Sequence, residues 1–174
     1  GLRREAPQEC AFVAKLCGQH NIPHTTLRWN GTNARGNLQA AARDARYRLL
    51  ADWAKNHDIH HVLLGHTLDD QAETVLMAMG RGAGPEGLAG MPRETMKHGV
   101  LFVRPLLNTR RDALRVGLAE LGQQWIDDPS NEDARYQRIR VRSTLDGLEA
   151  AGVGREAIAQ VAENMRETAD ALRS

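Results

Sequence analysis

The chain has 174 residues, of which 41% are apolar and 26% are charged, and its formal net charge is +1. This length suits one domain of ordinary size with a real core, and the composition excludes a disordered chain. No apolar run is long enough to span a membrane, and the first ten residues lack the apolar segment of a secretory signal. The near-neutral charge excludes a surface covered with phosphate-binding residues, although it is compatible with a local basic patch.

The two cysteines, Cys10 and Cys17, lie seven positions apart in a helical pattern. This spacing forms neither a CxxC redox pair nor a zinc framework, and two cysteines do not make a disulfide scaffold. We expect both side chains to pack in the core as small apolar groups. The simplest interpretation is a protein of the reducing cytoplasm that has no membrane partner.

The first third of the chain alternates helical and strand patterns. Apolar residues at helical spacing predict a helix over about 5–19, and the Thr-rich residues 24–29 predict a strand. The Asn- and Gly-rich residues that follow predict a loop, and Asn37 is expected to cap the next helix. Residues 60–65 then predict a strand that is buried on both sides. The expected apolar face of the helix after Asn37 comprises Leu38, Ala41, Ala42, Ala45, Leu49 and Trp53.

Helical patterns dominate the rest. A helix is predicted from about Leu68 to Gly80, a third strand over 100–103, and a helix opened by a Thr109–Asp112 capping box. A turn at 127–133, an Arg-rich helical segment and an amphipathic helix over about 155–172 complete the chain. The expected buried positions are Ala72, Val75, Leu76 and Met79 in the first of these helices and Leu114, Leu118 and Leu121 in the second.

Strands separated by helical patterns favour an α/β fold, a Rossmann-like parallel sheet with helices on both faces. Three strands are few for such a sheet, and the first recognisable element is a helix without the strand that should precede it. We therefore expect the first strand to be missing from these residues. The expected organisation is a partial α/β domain over 1–107 and a helical extension of the same domain over 108–174.

The most informative segment is HTLDDQAE, residues 66–73, which follows the buried strand through Gly65. Open α/β sheets bind ligands at such strand ends. On a helix its four ionisable side chains span roughly a third of the circumference, so they should point toward one place. These side chains are His66, Asp69, Asp70 and Glu73.

Clustered carboxylates repel one another and favour a neutralising cation. Mg²⁺ carried by phosphates and a substrate ammonium are two suitable partners. The alternative is that the acids only complement the dipole of the helix N-terminus. Zinc is a weaker alternative, because one nearby His and no HExxH motif are present.

The next segment, RGAGPEGLAGM, begins at Arg81 and follows the helix. Its glycines match G-x-G-x-x-G in form, but a dinucleotide-binding loop would follow a strand and open a helix. We interpret it as a flexible loop that permits close approach to a ligand; an ordinary helix-terminating loop is the alternative.

Two groups of arginines are further candidates. Arg43 and Tyr47 share a helix face that is expected to turn away from the packed Leu/Ala stripe, with Arg46 at its edge, and Arg43 could bind a phosphate or a carboxylate. Farther along, arginines at helical spacing could form a stripe for RNA phosphates, although the acidic segment before them could neutralise it. That group comprises Arg135, Arg138, Arg140 and Arg142.

The pattern HTLDDQAETVLMAMGRGAGPEGLAGM, with the later WIDDPSNEDARYQRIRVR, resembles the tRNA(Ile)-lysidine synthetase family of the N-type ATP pyrophosphatase (PP-loop) group. The resemblance covers most of the chain. It implies an adenine nucleotide alpha hydrolase-like fold and a cytoplasmic ligase that uses ATP and Mg²⁺. Such an enzyme adenylates the C2 carbonyl oxygen of the wobble cytidine in an isoleucine tRNA with a CAU anticodon. The amine of free L-lysine then attacks C2 and expels AMP, which forms lysidine.

The resemblance also implies residue roles. Asp70 and Glu73 are expected to recognise lysine and metal-bound ATP, supported by Asp69, with Arg43 beside lysine or the nucleotide. His66, Arg46 and Arg81 are expected to contact the nucleotide or the tRNA. A homodimer is a possible assembly.

The family's ATP-binding loop, Ser-Gly-Gly-x-Asp-Ser, does not occur in these residues. We therefore expect a truncated, poorly active piece of an active parent enzyme. One rival interpretation is a non-catalytic nucleotide- or RNA-binding module derived from a PP-loop enzyme. Another is a tRNA thiolase, but Cys10 and Cys17 are in the wrong setting for sulfur transfer.

Overall fold

The computed structural model describes residues 6–29, 38–126 and 137–173. Short helices and a small sheet alternate along the chain, as expected for an α/β fold. The helices are α1 (Ala6–Gln19), α2 (Leu38–Lys55), α3 (Leu68–Met79), α4 (Pro85–Leu88), α5 (Arg111–Glu120), α6 (Gln137–Ala150) and α7 (Arg155–Arg173). The strands are β1 (His61–Leu63), β2 (Glu94–Lys97) and β3 (Val100–Val103).

The sheet has the order β1-β3-β2. Strands β1 and β3 are parallel: the Leu101 N–H donates to the His60 carbonyl at 3.0 Å and the Leu64 N–H donates to the Val103 carbonyl at 2.8 Å. Strands β2 and β3 form a hairpin. Its turn has positive φ at both central residues, His98 and Gly99, as in a type I′ turn.

The sequence predicts most helices within two residues but misplaces part of the sheet. The strand expected over 24–29 is wrong, since these residues are not assigned to a strand. An alternating pattern becomes a strand only when another segment pairs with it, and no described segment does so here. Conversely, β2 was not predicted, and it makes the sheet mixed rather than wholly parallel. The strand expected over 60–65 is present as β1, but the expectation that it is buried on both sides is wrong: Leu63 is 69% exposed, and β1 is an edge strand of the described sheet. No helix in the described ranges has the length and apolar character needed to cross a membrane.

The chain divides into two compact units, the first comprising Gly1–Val62 and Met96–Phe102. In this unit Tyr47 is buried, and its ring meets the edge of Phe102 at a centroid distance of 4.8 Å. The buried positions of α2 are Tyr47, Ala51 and Ala54. The expectation that Leu49 and Trp53 lie on the core face of α2 is therefore wrong. Both are only half-buried, and the face that packs into the core is the one that carries Tyr47.

The second unit comprises Leu63–Thr95 and Val103–Ser174. Helix α3 packs on α4, α6 and α7. The buried cluster between them consists of Ala72, Val75, Leu145, Ile158 and Ala162, with Leu76, Val141 and Leu148 packed against it. Ala72, Val75 and Leu76 thus face the core as expected. The expected domain boundary at 107/108 stays a prediction.

Several expected core positions are wrong. Met79 is 54% exposed and Leu121 is 81% exposed, because each lies at the end of its helix beyond the packed turns. Leu114 and Leu118 are only half-buried. Among the cysteines of α1, Cys10 is exposed and Cys17 is intermediate, since α1 contributes no fully buried residue.

Candidate functional site

The turn between β1 and α3 is held by the side chain of Asp70. Thr67 occupies the N-cap of α3, and the Asp70 Oδ2 accepts hydrogen bonds from the Thr67 N–H and hydroxyl, both at 2.8 Å. This is the acidic half of a capping box. The capping box expected at Thr109 is wrong, because α5 has Arg110 at its N-cap and the Arg110 side chain makes no capping hydrogen bond. The Thr67-x-x-Asp70 spacing was the signal that could have found the true box.

Asp69 joins α3 to the starts of two later helices. Its Oδ2 accepts a hydrogen bond from the backbone N–H of Arg111 at 2.7 Å, and its Oδ1 lies 3.3 Å from the Nε of Arg155. Asp69 is only 8% exposed. It therefore places a negative charge at the N-terminus of α5, where the helix dipole favours it.

The other two carboxylates are also paired with arginines. The Oδ1 of Asp70 lies 3.3 Å from an Nη of Arg111, and the Oε1 of Glu73 lies 2.5 Å from the Nε of Arg142. Glu73 is the most deeply buried of the acids, at 1% exposure. The sequence predicted that the cluster needs a cation, and in the folded chain arginines of α5, α6 and α7 meet that need.

A cleft of about 760 Å³ opens beside these residues, entirely within the second unit. Its lining includes the two buried acids Asp69 and Glu73. The charged lining residues are Asp69, Glu73, Asp112 and Asp146, with Arg111, Arg115, Arg142 and Arg155. Among the described residues of the lining, four are acidic and four are basic, so this part of the cleft is of mixed charge rather than wholly acidic. Its apolar lining residues are Leu114, Leu118, Trp125, Ile126 and Leu145.

The remaining predicted site residues lie elsewhere. The described lining includes Gly65 and Thr67 but not His66 or Asp70. Arg81 is exposed and follows the C-terminus of α3, whereas Asp69 and Asp70 lie in its first turn. Twelve helical residues span about 18 Å. Arg81 is therefore at the opposite end of the helix from the acids.

The two arginines expected on α2 belong to the first unit. Arg43 and Arg46 are both exposed, and the Cζ of Arg43 lies 6.0 Å from the centroid of the Tyr47 ring. That ring is part of the core, so the expectation that Tyr47 faces away from the packed side is wrong.

The expected RNA stripe is only partly described. Arg142 pairs with Glu73 and lines the cleft, while Arg140 is exposed. Arg135, the side chain of Arg138 and the turn at 127–133 lie outside the described residues. Within the described ranges, no three His, Cys, Asp or Glu side chains gather as a metal-ligand group.

Comparison with known proteins gives consistent relatives. The model of a family described as the PP-loop domain matches residues 1–147. The chain is 50% identical to the tRNA(Ile)-lysidine synthase of Ruegeria pomeroyi, over 99% of the chain and 41% of that protein. It is 45% identical to the corresponding synthase of Rhodopseudomonas palustris, over 93% of the chain and 47% of that protein. It is 44% identical to that of Methylobacterium nodulans, over 99% and 51%. The chain thus spans about half the length of the curated relatives it matches.

A solved structure has a similar fold. The U34-tRNA thiolase NcsA from Methanococcus maripaludis, solved with its 4Fe-4S cluster, aligns with a TM-score of 0.74 and 20% identity. The alignment covers 91% of this chain and 56% of the thiolase. At this identity the likeness concerns the fold alone, and it agrees with the α/β class expected from the sequence.

Proposed function

Because the chain belongs to the PP-loop family, we propose that the protein carrying it is a tRNA(Ile)-lysidine synthase, an ATP-dependent carbon–nitrogen ligase that modifies tRNA. The observation that carries this proposal is the 44–50% identity to three such synthases over 93–99% of the chain. The substrates are ATP, free L-lysine and an isoleucine tRNA with a CAU anticodon. The reaction takes place in the cytoplasm.

The proposed reaction has two balanced steps. The C2 carbonyl oxygen of the wobble cytidine attacks the α-phosphorus of ATP, and pyrophosphate leaves. The lysine amine then attacks C2, loses a proton and expels AMP together with the former carbonyl oxygen. An unpaired base in an anticodon loop can leave its stack at little cost, which makes C2 accessible.

The cleft suits the charges of these substrates. Free lysine carries both ammonium and carboxylate groups, and ATP is polyanionic, so a lining with acids beside arginines can serve each of them. Arginine binds carboxylate and phosphate oxygens bidentately. Asp69 and Glu73 are the acids that line the cleft, and Arg111 and Arg142 are the arginines paired with the α3 cluster.

The cluster is also compatible with Mg²⁺. This ion keeps several waters and binds through one or two carboxylates together with substrate phosphates, so it does not need a cage of three protein ligands. When bound, it would offset the triphosphate charge. Asp70 and Glu73 remain the proposed ligands, with Asp69 supporting. The expected roles of Arg43, Arg46, His66 and Arg81 rest on the family resemblance.

The proposal is tested by the incorporation of labelled lysine into a CAU-anticodon isoleucine tRNA, with ATP and the protein that carries this chain. We expect Asp70→Asn and Glu73→Gln to lower the rate at least about 30-fold, the effect of losing one charge of a buried pair. Amides are preferable to alanine at this site. Glu73→Ala would leave Arg142 without this partner and would destabilise the fold.

The matched control is Glu120→Gln, because Glu120 is an exposed acid at the end of α5 that belongs neither to the α3 acid cluster nor to the described cleft lining. Its rate should equal that of the unaltered protein. Unchanged turnover in Asp70→Asn and Glu73→Gln would refute the site. Binding of tRNA and ATP without any lysine transfer would support the non-catalytic module instead.

A further inference from the structure

The mouth of the cleft carries an aromatic side chain to which the proposed roles assign nothing. Trp125 lines the cleft and is 40% exposed. The Cζ of Arg115, on α5, lies 6.0 Å from the centroid of the Trp125 ring. A guanidinium at this distance from an indole makes a cation–π contact, which helps to fix the orientation of the ring.

The described lining differs between its buried and its exposed parts. Its deeply buried members include three charged side chains beside Leu145: Glu73 is 1% exposed, and Asp69 and Arg155 are each 8% exposed. Its exposed members include Trp125 and Ile126, which is 42% exposed, together with the acids Asp112 and Asp146. Trp125 and Ile126 therefore form an apolar patch on the exposed rim of a cleft whose buried part carries several charges.

This arrangement matches the chemistry of a nucleotide that enters from a larger molecule. A nucleobase offers a flat face that stacks on aromatic side chains, and its backbone phosphates pair with arginine. Arg111 and Arg115 both line the same cleft. Small ligands are mostly enclosed in their pockets, whereas an unpaired base of a polymer meets the exposed rim first.

We propose that Trp125, oriented by Arg115, is a stacking platform for an unpaired anticodon-loop base of the tRNA substrate. The inference rests on the proposed function, which supplies the identity of the RNA. Trp125 binds the RNA through an unstacked base, while the buried charged side chains bind the lysine and ATP groups inside the cleft.

The kinetic test compares Trp125→Leu with Trp125→Phe in the lysine-incorporation assay. Stacking is sensitive to loss of the ring, so the Leu variant should raise the KM for tRNA about tenfold or more and leave the KM values for ATP and lysine unchanged. The Phe variant retains an aromatic face and should restore most of the tRNA affinity. Trp53→Leu is the matched control, because Trp53 stacks on His57 in the first unit and lies outside the cleft lining.

A binding test does not depend on turnover. In the Trp29→Phe/Trp53→Phe protein, Trp125 is the remaining tryptophan of the chain, and its fluorescence should be quenched by a CAU anticodon stem-loop but not by Mg-ATP. Quenching by Mg-ATP, or a raised KM for ATP alone, would assign the ring to adenine and overturn the proposal. An unaltered KM for tRNA in Trp125→Leu would also overturn it. Quenching by the stem-loop in a protein that transfers no lysine would refute the proposed function and leave the platform standing.

Discussion

Asp44, on α2, lies among three basic side chains of its own unit. Its Oδ1 is 3.2 Å from the Nζ of Lys97 and 3.7 Å from the Nε2 of His98, and its Oδ2 is 2.9 Å from the Nε of Arg48. The hydrogen bond from Lys97 is the main cause that lowers the pKa of the Asp44 carboxyl below its ordinary value of 3.8. Desolvation opposes this effect, and the charges of Arg48, Lys97 and His98 add to it.

The lowered pKa predicts a pH-dependent contribution to stability. The pKa of Asp44 is lower in the folded chain than in the unfolded chain. The Asp44 carboxylate therefore stabilises the fold at pH values above its unfolded pKa, and this stabilisation is lost as the pH falls through the folded pKa. Asp44→Asn should therefore lower the Tm at pH 7 and lower it less at pH 2, as measured by thermal unfolding at both pH values. A deficit of equal size at the two pH values would mean that the carboxylate charge is not the cause.

At the scale of elements, the Gly-rich segment after α3 is more ordered than its composition indicates. It contains α4, and its end is fixed by two side chains of the same unit. The Gln71 side chain donates to the Met91 carbonyl at 3.1 Å and accepts from the Met91 N–H at 2.8 Å. Arg166, on α7, donates to the carbonyls of Ala89 at 2.5 Å and Met91 at 2.9 Å. These bonds clamp the segment to α3 and α7.

The clamp predicts that an alanine substitution destabilises the fold more at one glycine of this segment than at another. Gly90 and Gly82 both have positive φ, at 62° and 66°. A Cβ on Gly90 would lie 2.8 Å from the Gln71 amide, whereas a Cβ on Gly82 would meet nothing within 4 Å. Gly82→Ala should cost about 1–2 kcal/mol, from the left-handed backbone alone. Gly90→Ala should cost more, since it also disrupts the bonds to Met91.

Urea unfolding of the two variants measures this difference. Gly82→Ala measures the cost of the left-handed backbone alone. Any additional loss of unfolding free energy in Gly90→Ala therefore measures the contribution of the clamp. Equal losses of unfolding free energy would show that the Gln71 amide moves aside freely and that the clamp does not hold the segment.

The same elements show what the sequence could predict. Helices α3 and α7 follow from apolar spacing, which is a local property of the chain, and both were expected within two residues. The strand expected at 24–29 failed because a strand depends on a partner that local pattern does not reveal. The I′ turn of the β2–β3 hairpin has His before Gly rather than the commoner Asn or Asp, so the turn signal was weak.

The candidate site was predictable in part for the same reason. The position of the acids after a strand follows from a short segment, and the structure places them directly after β1, although that strand is not buried on both sides. Their arginine partners do not follow, because Arg142 is 69 residues from Glu73 and Arg111 is 41 residues from Asp70. A single sequence carries no signal for pairs at such separations, so a cluster that looks acidic in the sequence is neutralised in the fold.

At the scale of the whole molecule, the second unit gathers the site from helices far apart in sequence. Arg155, at the start of α7, contacts Asp69 together with Asp146 and Glu149 of α6, and its side chain is 10% exposed. It lies beyond the residues that match the PP-loop domain, 1–147. The helix that follows the family domain thus contributes a charge to the wall of the cleft and holds Asp69 in place.

Arg155 therefore links the stability of the second unit to the geometry of its cleft. Breaking a fully buried ion pair costs about 3–5 kcal/mol, because the remaining charges lose their partner, and Arg155→Met should approach that range. Arg173→Met is the matched control: Arg173 is on the same helix and pairs with Glu86, but both side chains are more than half exposed. Its loss should cost no more than about 1 kcal/mol.

Urea unfolding gives both values, and the lysine-incorporation rate should fall in Arg155→Met but not in Arg173→Met, even at temperatures where both variants are folded. Equal stabilities and equal rates would mean that α7 only covers the core, and that Asp69 keeps its position through the Arg111 N–H alone.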